Sequence, residues 1–501
     1  MEARCITAHP HDNVAVVVNV EGVRAGDRIT EGLSAREEIP QAHKVSLRDI
    51  ARGGEVLRYG ERIGTALEHI RAGAWVREEL VGVPEAPDLE SIGPASSPPP
   101  PPPPLEGETF EGYANADGSY GTRNALGILA TVACVAPTVE HAAARLRAEV
   151  LPRYPGVDDV VALTHGYGCG VAIDAPLAAV PIRTLWNIAR NPNLGGPPLV
   201  VSLGCEKLQP SRLGFSSPGV LVMQERGLHG FSDTVAAIMR QAEARLGELD
   251  RRRRAACPAS GLVVGLQCGG SDAFSGITAN PAVGVAADLL VRCGATVLFS
   301  EVTEVRDAVH LLMRRAATPE VARALVREMR WYDGYLRAGG ADRTANPTPG
   351  NKRGGLVNVV EKALGSVAKS GSAPIASVAT HGERVTAKGL VFAATPASDF
   401  ICGTLQLASM NVHVFTTGQG SPYGLPLVPV IKVSSRTELA ERWPDLIDVD
   451  AGRIATGAAT TTGVGREIFR FILEAASGRK PWAERWGLKN ALELFNPGPI
   501  T

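Results

Sequence analysis

A chain of 501 residues exceeds what one hydrophobic core usually organises, so two or three domains are expected. Apolar content of 45%, charged content of 21% and a formal net charge of −1 describe a soluble globular protein, with no electrostatic basis for binding nucleic acid or a membrane surface. Eight cysteines without a CxxC pair, no charged-then-apolar leader and no apolar run near the ~20 residues that span a bilayer predict reduced thiols and a cytoplasmic location.

From the N-terminus, short β-like runs at Val14–Val20 and Glu55–Tyr59, with turns carrying Gly22, Gly26, Gly53 and Gly54, predict a small β-rich domain over residues 1–90. Within it, HPHDN supplies His11 and Asp12 before a strand, and QAHKV supplies His43 and Lys44. Histidine beside carboxylate suits acid–base or metal chemistry, while Asp-Asn before a strand is equally a turn. Residues 91–105 contain seven consecutive prolines, Pro98–Pro104, and read as an extended polyproline II linker.

The remainder repeats one theme, an apolar run that ends in a chemically loaded loop: Ile128–Cys134, Val160–His165, Leu199–Cys205, Leu262–Cys268, Thr296–Glu301, Leu390–Thr395, Val412–Thr417 and Val428–Lys432. Such a series predicts a largely parallel α/β architecture, with ligands beyond the carboxyl ends of the strands. The Pro/Gly-rich stretch Asp342–Gly350 marks a boundary between a central α/β domain, 106–340, and a C-terminal α/β domain, 341–501.

Arg123 and Asn124 precede the first of these strands, where the guanidinium could fork onto a substrate carboxylate or serve a turn. HGYGCG offers His165 and Cys169, and LGCEKLQ offers Cys205 and Glu206; with Cys134 and Cys268 they put four thiols at strand ends. That pattern is open to packing, to a cysteine-lined pocket or to an iron–sulfur site, although its spacings match no standard cluster motif. Cys169, Cys205, Glu206 and Cys268 are the metal-ligand candidates.

The most informative stretch is Gly265–Gly284, where a strand releases Gln267, Ser271, Asp272, Ser275 and Asn280 into a glycine-rich loop before a helix resumes near Pro281. So many polar groups in a glycine frame predict a polar ligand approached closely by backbone. NPTPGNKRGG adds Asn351 and Lys352, and FTTGQGSPYG adds Thr416 and Thr417.

Taken in order, GYANADGSYGTRN, HGYGCG, LGCEKLQ, GLQCGGSDAFSGITANPAVG, NPTPGNKRGG, FTTGQGSPYG and DVDAG resemble the altronate/galactarate dehydratases over nearly the whole chain. HPHDNVAVVV and AHKVSLRDI resemble the SAF-type β-clip domain fused in front of those enzymes. The resemblance implies a hydro-lyase converting a sugar acid to a 2-keto-3-deoxy acid by α-proton abstraction and β-hydroxyl elimination. It also implies a divalent metal (Fe²⁺, Mn²⁺, Mg²⁺ or Ca²⁺); the linker, long enough to reach a neighbouring subunit, makes a homodimer the expected assembly. His11, Asp12, His43, Lys44, His165 and Lys352 are then the acid–base candidates, and Arg123, Asn124, Gln267, Ser271, Asp272, Ser275, Asn280, Asn351, Thr416 and Thr417 the substrate-binding ones. Sulfolactate carbon–sulfur lysis, also found in the family, and a catalytically silent sugar-acid-binding paralogue are the alternatives.

Three departures bear on specificity. A VH-x-HN motif is replaced by Trp75-Val76-Arg77-Glu78-Glu79-Leu80, TTGRGS reads Thr417-Gly418-Gln419-Gly420, and DTPGYD reads Ala394-Thr395-Pro396-Ala397-Ser398-Asp399. Arg77 and Glu79 in place of imidazoles predict harder metal ions, and Gln419 in place of a guanidinium predicts an aldonate over a diacid.

Overall fold

The apolar run Val14–Val17 is wholly buried and pairs antiparallel with Cys5–Ile6 and with Lys44–Ser46, which in turn pairs with Trp75–Val76. A second antiparallel sheet joins Glu55–Arg58, Glu61–Ala66 and Val81–Gly82, completing a β-rich N-terminal domain. The computed structural model describes residues 4–90, 97–216 and 219–501. Of the proline linker, residues 91–96 lie outside these; residues 97–104 form neither helix nor strand, and Pro103 is held by Arg292, whose Nε donates to its carbonyl at 2.8 Å.

Two parallel sheets follow. β1 (Ala125–Ala130), β2 (Asp159–Leu163), β3 (Leu199–Ser202) and β4 (Val220–Val222) lie in the order β2-β1-β3-β4. The larger sheet contains β5 (Val263–Cys268), β6 (Thr296–Phe299), β7 (Ile375–Ala379), β8 (Gly389–Ala393), β9 (Val412–Thr417), β10 (Val430–Ser434) and β11 (Val449–Asp450), in the order β7-β8-β6-β5-β9-β10-β11. Parallel strands covered on both faces need continuous apolar runs, which is why ALGILA, LVVS and TVLF show no alternation.

The smaller sheet carries α1 (Ala136–Arg145) and α2 (Phe231–Leu249). On the larger one, α3 (Ala279–Arg292) packs against the much later α8 (Thr461–Ala476), so tightly that a Cβ at Gly465 would lie 2.5 Å from Val285 Cβ. Between β6 and β7 the chain leaves the sheet for α4 (Pro319–Ala338), α5 (Pro349–Arg353) and α6 (Val359–Val367), capped at their starts by Thr318, Thr348 and Asn358. α7 (Asp399–Gln406) follows β8.

The larger sheet therefore runs across residue 341, where the sequence suggested a domain boundary. Thr296 of β6 pairs with Gly389 of β8, so strands from both sides of that position share one sheet. Asp342–Gly350 is a turn between helices of a long excursion, and its polar, Pro/Gly-rich composition reflects that turn. The passage from one parallel sheet to the other lies nearer residues 250–259, where Ala255–Pro258 pairs with Thr109–Phe110-Glu111-Gly112.

The N-terminal domain docks on the larger α/β unit through buried charge. Glu361 of α6 is fully buried and accepts from Lys44 Nζ at 2.9 and 3.0 Å, from Arg58 and from the Val357 amide at 2.7 Å. Lys44 also donates to the Gly355 carbonyl, and Arg58 to that of Ala273. Burial lowers the Lys44 pKa to about 8 despite its partner, while Lys44 and Arg58 outweigh burial and hold Glu361 below its ordinary value. Asn358 donates to the Ile63 carbonyl at 2.8 Å, and the Tyr59 hydroxyl fills the space that a side chain at Gly276 would need.

Removing the one anion of this joint leaves two buried cations without it. Glu361→Gln is expected to cost about 3–5 kcal/mol, read as a lower urea midpoint. An unchanged midpoint would show that water, not Glu361, solvates Lys44 and Arg58.

Candidate active site

In an open parallel sheet a crevice forms where successive connections depart to opposite sides of one strand. β5 is that strand in the larger sheet: β6 lies on one side, and after the excursion through β7 and β8 the chain returns to place β9 on the other. Cys268, the last residue of β5, stands with Glu301 and Glu304 just beyond β6, and their donor atoms all lie within 4.8 Å of one another. Each carboxylate has its own ammonium. Lys369 Nζ is 2.5 Å from Glu301 Oε2, and Lys362 Nζ is 2.7 Å from Glu304 Oε1. Lys369 also reaches Cys268 Sγ at 3.1 Å and Ser366 Oγ at 2.7 Å, and Lys362 reaches Asn346 Oδ1 at 2.9 Å and Asn351 Oδ1 at 3.1 Å.

Burial drives the electrostatics of this cluster. It raises Glu301, assisted by the neighbouring Glu304 charge, whereas Lys362 and Lys369 overcome burial at Glu304 and hold it low. Two adjacent carboxyls with pKa values pushed apart are a common basis for acid–base chemistry. Burial and the same two acids push the Cys268 thiol up to about 12, and the anions around Lys362 and Lys369 keep both ammoniums protonated.

Asp399, at the start of α7, connects the cluster to the surface. Its carboxyl is half-buried, its main-chain oxygen accepts from Gln267 Nε2 at 2.9 Å, and burial together with Glu304 raises its pKa to about 6. A Cβ on Gly269 would lie 2.5 and 2.6 Å from the two carboxylate oxygens of Asp399, so only glycine leaves room for the acid there.

The thiol and two carboxylates could hold a metal ion. Their mixed sulfur and oxygen donors suit a divalent ion of intermediate softness, which would take the place of an ammonium, since Lys362 and Lys369 already neutralise both acids. The metal ligands expected from the sequence do not come together. Cys169, Cys205 and Glu206 belong to the smaller sheet and Cys268 to the larger, and Glu206 is engaged by Thr131 Oγ1 and Ser202 Oγ, each at 2.5 Å. Arg77 pairs with Glu37 at 2.5 Å and covers the Trp75 ring, while Glu79 is exposed, so the changed segment contributes no ligand to this group.

Of the expected substrate-binding residues, those in the larger sheet gather around the crevice and largely hold one another. Asp272 accepts from Ser275 and Ser435 and lies 3.0 Å from Arg436 Nε; Asn280 accepts from Thr416 at 2.7 Å; Asn351 donates to the Ser271 carbonyl at 2.8 Å; and Thr417 accepts from the Gly420 amide at 3.0 Å. The Ser271 hydroxyl is buried without a partner among the described residues. Arg123 and Asn124 are elsewhere. Arg123 is buried against Glu484 at 2.6 Å, and Asn124 donates to the Gly156 and Leu249 carbonyls, so both tie chain segments together.

The acid–base candidates also separate. His165 is buried between the Ala130 carbonyl and the Tyr167 amide, with its pKa lowered to about 4 by burial, which makes it a neutral structural ring remote from β5. Asp12 accepts the Ala8, His9 and Gly60 amides as a turn residue, and His11 is exposed beside His9. Lys44 is committed to Glu361. His43 lies near the crevice, between the Arg353 carbonyl and Trp75 Nε1, each at 3.2 Å, with burial and then Lys44 lowering its pKa. Lys352 pairs with Glu78 at 3.2 Å across the same edge.

Glu301, Glu304, Lys362, Lys369 and Asp399 were not singled out from the sequence. A signal existed for Glu301, which ends the apolar run Thr296–Glu301, but VVEKALGSVAK reads as a core helix and conceals its lysines.

No helix among the described residues is long and apolar enough to cross a membrane. Residues 3–84 match the altronate/galactarate dehydratase SAF domain, 112–250 the D-galactarate dehydratase/altronate hydrolase second domain, and 259–500 the D-galactarate/altronate dehydratase C-terminal domain. The chain is 57% identical to a galactarate dehydratase (L-threo-forming) of Escherichia coli (strain K12), covering 99% of this chain and 97% of the relative. It is 33% identical to an altronate dehydratase of Bacillus subtilis (strain 168), covering 98% and 99%. It is 31% identical to the (2R)-sulfolactate sulfo-lyase subunit beta of Chromohalobacter salexigens, covering 76% and 96%. With a β-rich domain in front of two parallel α/β units, and with each part matched in order, this chain belongs to the galactarate/altronate dehydratase family.

Proposed function

We propose that the protein is a hydro-lyase that dehydrates a galactarate-type sugar diacid to its 2-keto-3-deoxy acid, with Asp399 as the base that removes the proton α to a carboxylate. The observation that carries this reading is a half-buried carboxyl, raised to about 6, beside two buried Lys–Glu pairs at the switch point of the sheet. Near neutral pH this group is ionised, yet basic enough to accept a proton. Lys362, released from an asparagine by the incoming acid, holds the carboxylate as negative charge spreads into it. A divalent ion held by Cys268, Glu301 and Glu304 would supply Lewis-acid stabilisation of that charge. Gln267 fixes the start of α7 and so the direction of the Asp399 side chain, while the Gly269 gap admits it.

The identity of 57% to a galactarate dehydratase, against 33% to an altronate dehydratase, favours a diacid over the aldonate expected from Gln419. The Gln419 amide donates to the Gly350 carbonyl at 2.5 Å, and a guanidinium stands nearby in Arg436, which donates to the Gly418 carbonyl at 2.8 Å. Sulfolactate is the less favoured substrate, because the sulfo-lyase subunit is the more distant relative.

With galactarate as substrate, kcat/KM is expected to rise as pH passes through about 6 and then level off. Asp399→Asn should abolish that limb and lower the rate by about 100- to 10,000-fold. Galactarate turnover by Asp399→Asn at the wild-type rate would remove Asp399 from the chemistry, and turnover of sulfolactate alone would refute the diacid reading.

A stability measurement tests the same group without substrate. The folded state raises the Asp399 pKa from 3.8 to about 6, so between these values it retains a proton that the unfolded chain has lost. Stability contributed by the neutral acid is present below the unfolded value and is lost as pH rises through the folded one. Relative to Asp399→Asn, the wild type should lose about 3 kcal/mol over that window, reduced toward about 2 by solvent screening of a half-exposed carboxyl. Parallel urea-unfolding curves for the two proteins would show that the carboxyl is not desolvated.

A further inference from the structure

The smaller parallel sheet has its own switch point, with a different chemistry. β1 has β2 on one side and β3 on the other, and one cysteine stands just beyond the carboxyl end of each strand: Cys134, Cys169 and Cys205. All three are free and exposed, against the usual preference of cysteine for burial.

Hydrogen bonds between residues next to these cysteines join their loops. The Ala133 amide donates to the Tyr167 carbonyl at 3.2 Å, and the Lys207 and Leu208 amides both donate to the Gly168 carbonyl at 3.1 Å. The buried Glu206 carboxylate takes Thr131 Oγ1 from the first loop and the Gly204 amide, at 2.6 Å, from the third. Gly168 and Gly204 have φ of +111° and +123°, which side chains rarely adopt, and a Cβ at Gly168 would strike the Thr131 carbonyl. The far end of the chain fastens the middle loop, with the Thr501 amide donating to the Gly170 carbonyl at 2.9 Å.

The carboxylate and the imidazole of these loops are already committed, while the Tyr167 hydroxyl is buried without a partner among the described residues. Glu206 has its four partners, and His165 is held by backbone on both ring nitrogens. With that carboxylate and imidazole taken, the ligands left are three thiols and one neutral phenol, so the site selects soft metals over hard oxygen-seeking ions. Among the described residues, the group with donors all within 4.8 Å is Cys268, Glu301 and Glu304; the three sulfurs are therefore spread more widely than one ion requires. A polynuclear cluster accommodates that wider spacing.

We propose that Cys134, Cys169 and Cys205 bind an iron–sulfur cluster as three thiolate ligands contributed by three adjacent strand ends. Transfer of a preformed cluster is a ligand exchange. Each cysteine sulfur forms a bond to iron as one carrier thiolate leaves with the cysteine proton, and no iron changes oxidation state. The site is separate from the Asp399 crevice, so its failure would leave the dehydratase reading untouched.

The test is anaerobic incubation of the full-length protein with a synthetic iron–sulfur cluster ligated by mercaptoethanol, followed by desalting. Wild type and Cys5→Ser should retain equal amounts of iron and acid-labile sulfide with a visible thiolate-to-iron charge-transfer band. Cys134→Ser, Cys169→Ser and Cys205→Ser should each lose most of both while keeping the wild-type Tm. Should a serine variant fold poorly, alkylation of wild type followed by mass spectrometry gives the same answer, because the three exposed thiols should alkylate in the cluster-free protein and be shielded once the cluster is bound. No retained iron in wild type, equal retention in a triple serine variant, unshielded thiols, or metal bound without sulfide would each overturn the proposal.

Discussion

The charge balance around α6 is the constraint on which the other parts depend. An ion taken out of water costs several kcal/mol unless another ion and further hydrogen bonds compensate it, and this region buries acids and bases together. Glu361 and Lys362 are consecutive, so the helix turns them to different partners. Glu361 meets Lys44 and Arg58 of the N-terminal domain, and Lys362 meets Glu304 at the end of β6. One turn of helix thus serves both the domain joint and the candidate catalytic cluster. Separating the domains would strand three buried charges, so this joint, more than the proline linker, fixes how the N-terminal domain presents His43 and Trp75 to the crevice edge.

The same balance sets what the cluster can do. Had Glu301 and Glu304 lacked Lys369 and Lys362, burial would have raised both; the lysines hold Glu304 low while Glu301 remains raised. Asp399 then senses a burial effect and the Glu304 charge, only partly offset by Lys362 and Lys369. A carboxyl with a pKa close to 6 therefore follows first from its burial and then from the Glu304 charge behind it, and Gly269 allows it to sit there.

These arrangements differ in how visible they are in a sequence. Parallel α/β architecture was legible because strands covered on both faces must be apolar throughout, as in ALGILA and TVLF. Strand order was not, since periodicity carries no information on which run pairs with which; Asp342–Gly350 accordingly looked like a domain edge although β6 and β8 join across it. The Gly265–Gly284 loop stood out as a candidate site by its glycines and polar side chains, but most of those polar groups hold the loop itself, as Asp272 does with Ser275 and Ser435. Arg123 shows the converse, an alternative that the sequence left open. A guanidinium before a strand suits a substrate carboxylate, and only the fold reveals that Glu484, some 361 residues later, already occupies it. Lys362 and Lys369 were concealed because a helix with apolar residues on most sides gives no indication that an ammonium inside it has a buried partner.

The two parallel sheets place contrasting donor chemistry at equivalent positions. At the carboxyl end of β5 the donors are carboxylates matched by ammoniums, and the thiol among them, Cys268, is pushed up to about 12 by burial and by those acids, so it remains protonated unless a cation displaces a lysine. At the carboxyl end of β1 the carboxylate of Glu206 is consumed by loop hydroxyls and amides, and the thiols are left exposed. Four strand-end cysteines that look alike in the sequence thus divide by what surrounds them. One lies among anions that disfavour its thiolate, and three stand on loops whose carboxylate is already spent. Exposed thiols and buried carboxylate–ammonium pairs are segregated by sheet in this molecule, and the cause is the placement of Glu206 and of the Glu301–Glu304 pair rather than the positions of the cysteines along the chain.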